Sequence, residues 1–509
     1  MKRSGAIRSN SGVTLRRQTA EAATRATSAT GPGEISRSGR RRAAIALMIA
    51  TAMQAFDATI ANVALPQLER GLGGGIDLGS WVMTSYLCAA AVTALLTGWF
   101  RRRWGARPVF ALATVLFVAA SLLCSLATTP VELILFRLIQ GAAAGIIQPL
   151  AQAIILDLYP KHEHGRMLAI WGATIMAGPM LGPVLGGTIT DLASWRWIFA
   201  VNAPIGGVAL FGLGSIPARH PPRDGEPIDR IGIALLVIAV SALQVALQRS
   251  IGHLWPPAAE TIGEGAIAFI ALAAIVIQSR RSRFRLFRFD LFHDFNFSLA
   301  TIYTFMIGAV LFTTIVFVPA LCEGPFGWDA TQAGLAIAPR GVGTMATMLA
   351  VRYVIDRIDH RILIAIGLSV TGAALELMSR VPLQGGESWL AATSAIQGIG
   401  VGIVFTPLAT LAFSTLGPEL RTDAAGVYSL SRQLGCAAGV AAMTAILQTR
   451  IDGELRSLVQ HGATFGAGSL PMLKGATFIA YTGCFRALAV AALAMIPAVL
   501  LFRSAERAR

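Results

Sequence analysis

The sequence predicts an all-α polytopic membrane protein of fourteen transmembrane helices, and three observations predict it. Hydrophobic residues make up 54% of the 509 and charged residues only 14%, against roughly 25% charged in a soluble domain. Apolar runs of about 20 residues, enough to cross a ~30 Å hydrocarbon core as helices, recur from Ala43 onward. The Lys and Arg residues, 42 in all, crowd into alternate connecting segments. A chain so poor in charge cannot cover a water-facing surface, so lipid must be much of its solvent.

Residues 1–42 are rich in Ser, Thr, Gly and Arg and lack the apolar core of a signal peptide. They read as a basic, disordered cytoplasmic arm; an over-extended gene start is the rival account. The expected spans are 43–66, 80–98, 108–128, 131–157, 165–188 and 195–216, then 231–248 and 263–279, then 297–320, 332–354, 362–381, 388–412, 424–447 and 477–502. With the N-terminus inside, 31 of the 42 basic residues fall in inner segments, 7 in outer segments and 4 within spans. That bias places both termini in the cytoplasm, and one missed helix would invert every later loop and spoil it. The +15 net charge is therefore topological, and no nucleic-acid partner is implied.

GWFRRRWGAR (98–107) follows span 2 and RYVIDRIDHR (352–361) follows span 10. A repeat so placed suggests two parallel six-helix halves, at 43–217 and 291–509, the second ending in a short cytoplasmic tail. An inserted helix pair at 218–290 separates them. Enzymatic and metal chemistry find no support. The five cysteines are scattered singly, no nucleotide-binding glycine loop or GxSxG occurs, and HEHGR (162–166) has its His residues too close for a zinc helix. No metal and no cofactor are expected, and the missing nucleotide loop argues against an ATP-driven pump.

Asp57, in FDATIANVALP of span 1, lies fourteen residues past Ala43, roughly 21 Å from the inner edge. An ionised carboxylate at that depth needs a cavity or a cationic partner. Arg137, in LFRLIQGAAAG of span 4, lies at a matching depth, about 21 Å from the inner face. The functional reading makes Asp57 a proton-binding site tuned by burial and by Arg137; the other reading is a structural buried ion pair. Asn62 lies further along span 1.

Span 5 reads GPMLGPVLGG. Gly178, Gly182 and Gly186 form one flat stripe, Pro179 and Pro183 interrupt the hydrogen bonding, and Gly187 follows. Either ordinary small-residue packing or a moving interface between halves accounts for this face; the doubled Gly-Pro favours the second. SWRWIFAVNAPIGG then offers Trp195 and Trp197 for an interfacial belt, and Asn202, which needs a partner in lipid.

These segments, in order and spacing, resemble the fourteen-span drug:proton antiporter branch of the major facilitator superfamily. DATIANVALP, WVMTSY, the Arg137 segment, GPMLGPVLGG, WRWIFAVNAPIG and SRQLG (431–435) carry the resemblance over about residues 43–502. It implies a major facilitator fold working by alternating access, Asp57 as the proton-coupling residue with Arg137 beside it, and span 5 as the antiporter motif. It implies export of small amphipathic substrates against protons through a bacterial inner membrane, driven by the proton gradient. A periplasmic adaptor and an outer-membrane channel are compatible partners that no residue here identifies.

Two departures stand out. In the loop after span 2, Gly98, Arg103 and Gly105 fit the family pattern, but Arg102 replaces an Asp that takes part in an inner charge latch. Asp356 and Arg357 keep the acid in the second half, so an asymmetric latch is expected. At the outer end of span 9, VPALCE puts Glu323 where the family has Gln; it is a second acidic site or an exposed carboxylate. Further intramembrane candidates are Arg340, Glu376, Arg432, Gln433 and Arg486, with a Glu376–arginine pair expected. Besides broad drug efflux, the sequence allows export of one host-made metabolite, antibiotic or siderophore, or, remotely, a receptor or scaffold that does not transport.

Overall fold

In the computed structural model, residues 36–73, 78–215, 229–252, 259–281, 289–382, 386–460 and 470–503 are described. They form α-helices and short 3-10 turns, with no strand among them. The first half comprises α1 (Arg37–Leu72), α2 (Leu78–Trp104), α3 (Ala106–Leu126), α4 (Pro130–Leu158), α5 (His164–Leu192), and the broken pair α6 (Trp197–Ala200) and α7 (Asn202–Gly212). Next come α8 (Arg230–Gly252) and α9 (Ala259–Arg281). The second half comprises α10 (Phe295–Glu323), α11 (Ala330–Val351), α12 (His360–Met378), α13 (Gly386–Ser414), α14 (Arg421–Gln460) and α15 (Leu470–Ala494).

Each of the fourteen expected spans overlaps a described helix. Among the described residues, eleven stretches qualify as membrane-crossing by length and hydropathy alone, and Trp197–Gly212 and Arg230–Ala246 are shorter apolar helices. The count of fourteen is therefore not matched number for number. Boundaries also differ. α1 begins at Arg37, inside the arm expected to be disordered, and α14 continues to Gln460, past the expected end at 447. Polar residues at a helix end can stay helical beyond the lipid, where hydropathy gives no signal; residues 1–35 lie outside the described residues.

Local chemistry sets several starts. Thr129 and Glu132 form a capping box at α4, with Pro130 in the first turn. Asp329 and Gln332 do the same at α11, while Asp294 accepts from the Phe297 amide at α10. These caps satisfy first-turn amides that the helix itself leaves without a partner.

Lipid removes much of the hydrophobic drive for helix association, so close packing of small residues takes over. α2 and α4 touch where a Cβ on Gly141 or Gly145 would lie 2.2 or 2.1 Å from the Tyr86 or Ala90 carbonyl oxygen. α11 and α13 repeat the arrangement, with Gly398 and Gly402 set against the carbonyls of Arg340 and Thr344. The two halves meet where α5 packs on α11 and α2 on α14. A small apolar cluster of Ala173, Met348 and Phe405 bridges them. α8 and α9 pair with each other, and α8 packs on α2 and α14. α9 turns apolar side chains such as Phe269 and Ile270 outward, as a lipid-facing helix would.

Candidate functional site

Asp57 of α1 is fully buried, as are Ser121 of α3, Arg137 and Gln140 of α4, and Asn202 of α7. Arg137 Nη1 donates to Asp57 Oδ2 at 2.8 Å and to Gln140 Oε1 at 2.9 Å. The other carboxylate oxygen, Oδ1, accepts from Gln140 Nε2 at 2.9 Å and from Asn202 Nδ2 at 2.7 Å. Asn202 also donates to Ser121 Oγ, which donates in turn to the Phe199 carbonyl at the α6–α7 break. The guanidinium lies 4.3 Å from the centre of the Tyr86 ring and 5.6 Å from that of Phe199.

The carboxylate is thus fully solvated by protein donors, while its partner is not. Arg137 Nε and Nη2 and Asn202 Oδ1 are buried without a hydrogen bond. Desolvating two charges costs several kcal/mol each, which their attraction offsets only with good geometry. Here that geometry converges on one acid, and groups left unpaired keep the cost of rearrangement low.

α5 sets the height of Asp57. A Cβ on Gly178 would lie 2.5 Å from the Ala55 backbone, and one on Gly182 would lie 2.3 Å from Thr59 Oγ1. Gly186 faces Ile60, and Thr59 Oγ1 donates to the Gly178 carbonyl at 3.0 Å. The glycine stripe therefore grips α1 within the first half, while Met180 of the same helix meets α11 of the second. A one-sided stripe shows that some helix comes close, without saying which. The side chains of Asn62, Pro179 and Pro183, and the surroundings of Gly187, lie outside the described residues.

A second polar cluster closes the end of the molecule that carries Arg101–Arg103, the basic end. Arg101 Nη2 meets Asp157 Oδ2 at 2.5 Å, and Arg421 Nη1 of the second half reaches the other oxygen of Asp157 at 3.1 Å. Arg101 also donates to Thr422. Arg102 Nη1 meets Asp423 Oδ2 at 2.5 Å, and Gly98 leaves room for that carboxylate, since a Cβ there would lie 1.8 Å from Asp423 Oδ1. Gly105 has φ 87 and turns the chain into α3. Arg103 is half-buried, and Asp356 and Arg357 are exposed, outside this cluster. The acid that faces Arg102 is Asp423 of the second half.

Arg432 Nη2 reaches Gln148 Oε1 across the halves at 3.4 Å, and Gln433 makes a contact of similar length to Ser429 one turn away. Glu323 ends α10 exposed. Glu376 pairs with Arg380 at 2.8 Å, while Arg486, largely exposed, approaches to 3.9 Å. Arg340 is elsewhere, buried against Thr314. Gln140, Ser121, Tyr86, Asp157 and Asp423 were not singled out in the sequence. The signal for Gln140 was present: Ile139-Gln140-Gly141 with Gly145 recurs as Ile396-Gln397-Gly398 with Gly402.

The sequence model of the Major Facilitator Superfamily matches residues 47–440. The multidrug export protein EmrB of Haemophilus influenzae is 34% identical over 420 residues, 82% of each chain. The Escherichia coli K12 protein of the same name is 33% identical over 408 residues, 80% of each. The fatty acid resistance protein FarB of Neisseria gonorrhoeae is 31% identical over 412 residues, 80% of each. Among solved structures, the proton:xylose symporter XylE superposes with a TM-score of 0.60 at 15% identity, covering 91% of this chain and 96% of its own. The human organic anion transporter MFSD10 superposes with a TM-score of 0.59 at 17% identity, covering 89% and 99%. At those identities the structures bear on fold alone.

Proposed function

The chain belongs to the Major Facilitator Superfamily, and from that membership we propose that it exports amphipathic drugs or toxic small molecules in exchange for protons, by alternating access. The observation that carries the reading is the buried Asp57–Arg137 pair, a titratable acid deep among membrane helices with no structural charge balance beyond one arginine. The relatives named as multidrug export proteins support the substrate class. The charge count supports cytoplasmic termini in a plasma membrane, with the basic end inside.

A proton arriving from outside neutralises Asp57 and removes its hold on Arg137. The guanidinium keeps Gln140 Oε1 and the Tyr86 ring as partners. The new carboxylic O–H finds an acceptor in Asn202 Oδ1, which lacks a hydrogen bond, once that amide rotates. α1 is then no longer tied to α4 by charge, and its grip on α5 passes the change to the α5–α11 contact between halves. Opening inward requires the Arg101–Asp157–Arg421 and Arg102–Asp423 cluster to part. Each proton moving inward contributes roughly 2.3 kcal/mol per 100 mV of membrane potential.

The test is substrate-induced proton movement in inverted vesicles over a panel of dyes, biocides and antibiotics. Proton release on adding several unrelated compounds supports the reading, and none with any compound contradicts it. Release with a single natural product alone would favour a dedicated exporter.

A further inference from the structure

The second half holds a polar cluster built like the Asp57 site but with no acid in it. Gln397 of α13 donates to Thr314 Oγ1 of α10 at 3.0 Å, as Gln140 donates to Asp57. Ser394 stands three residues before Gln397, as Arg137 stands before Gln140, and its hydroxyl is buried without a partner, as is Gln397 Oε1. The cation comes instead from α11: Arg340 leans over the Gly398 crossing, where Tyr86 leans over Gly141 in the first half. Arg340 is only 8% exposed, and Nη1 donates to Thr314 Oγ1 at 3.0 Å and the Leu311 carbonyl at 3.2 Å. Neutral oxygens are its hydrogen-bond partners, and no carboxylate pairs with it among the described residues.

Arginine does not discharge by losing its proton, so a buried guanidinium with neutral partners is a charge awaiting a counter-ion. Gly341, the next residue, packs on Met180 of the GPMLGP segment, a Cβ there lying 2.9 Å from Met180 Cβ. The halves meet at Gly341, and the Arg340 guanidinium, held by Leu311 and Thr314 within the second half, lies one residue away from that surface along α11.

We propose that Arg340, with Gln397, Thr314 and Ser394, is an anion-binding subsite that takes the carboxylate of an amphipathic organic acid during export. The guanidinium forms the charge-assisted hydrogen bond, the unpartnered Ser394 hydroxyl donates a second, Thr314 holds Arg340 and Gln397 in place, and the apolar body of the substrate lies between the halves. This deepens the exporter reading and rests on it, since it names a substrate class for the same pathway.

Binding of octylbenzoate and of its methyl ester to the full-length protein in detergent, with no proton gradient, tests it. The wild-type protein is expected to bind the acid at least about tenfold more tightly than the ester, the worth of one charge-assisted hydrogen bond. Arg340→Gln should remove that preference and leave ester affinity unchanged, and Arg340→Lys should keep part of it. Because this binding assay carries no proton gradient, a failure of proton coupling, read in the vesicle assay, and a failure of this subsite read out separately. Equal affinity of the wild type for acid and ester overturns the proposal, even if Arg340→Gln does not fold. So does an undiminished preference in Arg340→Gln, or an equal loss of both ligands in that variant.

Discussion

Arg102 of α2 and Asp423 of α14 form an ion pair at 2.5 Å that ties the two halves together at the basic end. The resembling family carries an acid where Arg102 stands, so the charge on this side is reversed and an acid meets it from the other half. Asp157 adds a second link by holding Arg101 of its own half and Arg421 of the other. A latch of this kind must hold while the outer side is open and release when it closes; in each link to the second half one partner, Asp423 or Arg421, is buried and the other, Arg102 or Asp157, is partly exposed.

Charge reversal tests the latch. Arg102→Asp and Asp423→Arg each set like charges face to face, and each should lower the initial efflux rate about tenfold. The double reversal should recover most of that loss, with a coupling of about 1–3 kcal/mol. A double variant no faster than the slower single variant would show that the pair does not gate transport.

The grip of α5 on α1 predicts a contrast between two glycines. Gly178→Ala pushes a methyl group into the Ala55 backbone, which cannot yield as a side chain can, and should cost about 1–3 kcal/mol. Gly207 of α7 has nothing within 4 Å of its would-be Cβ, so Gly207→Ala should be neutral or slightly stabilising. Thermal unfolding of the purified variants compares them, and equal melting temperatures would contradict the packing account.

Glu323 and Glu376 should be dispensable. The first is exposed at a helix end, and the second is held mainly by a largely exposed Arg380 one turn away, a pair worth about 0–1 kcal/mol. Glu323→Gln and Glu376→Gln should keep efflux and protein level within about twofold of wild type. A tenfold loss of transport at normal protein level would return either residue to the proton or substrate path.

Much of the membrane architecture was legible, because lipid imposes a length and a polarity on every span. Depth arithmetic put Asp57 and Arg137 at one level, and the structure has them 2.8 Å apart. Asn202 was suspect for the same reason, being costly in lipid without a partner. Contacts between distant segments were not legible. The glycine stripe of α5 promised a close neighbour but not its identity, and that neighbour is α1. Asp423 and Asp157 carry no signal in the sequence, because partners 321 and 264 residues away leave no local mark. Gln140 could have been found from the repeated Ile-Gln-Gly segment, which shows only when the halves are laid over one another.

The most direct measurement compares wild type with Asp57→Asn in sealed proteoliposomes carrying an imposed proton gradient and a labelled amphipathic substrate. Wild type should accumulate substrate against its gradient and move protons in the opposite sense. Asp57→Asn should insert normally and still exchange substrate across the membrane without a gradient, yet show no uphill transport and no substrate-linked proton movement. Uphill, proton-driven transport in Asp57→Asn at the wild-type rate would contradict the central claim that this carboxylate carries the coupled proton.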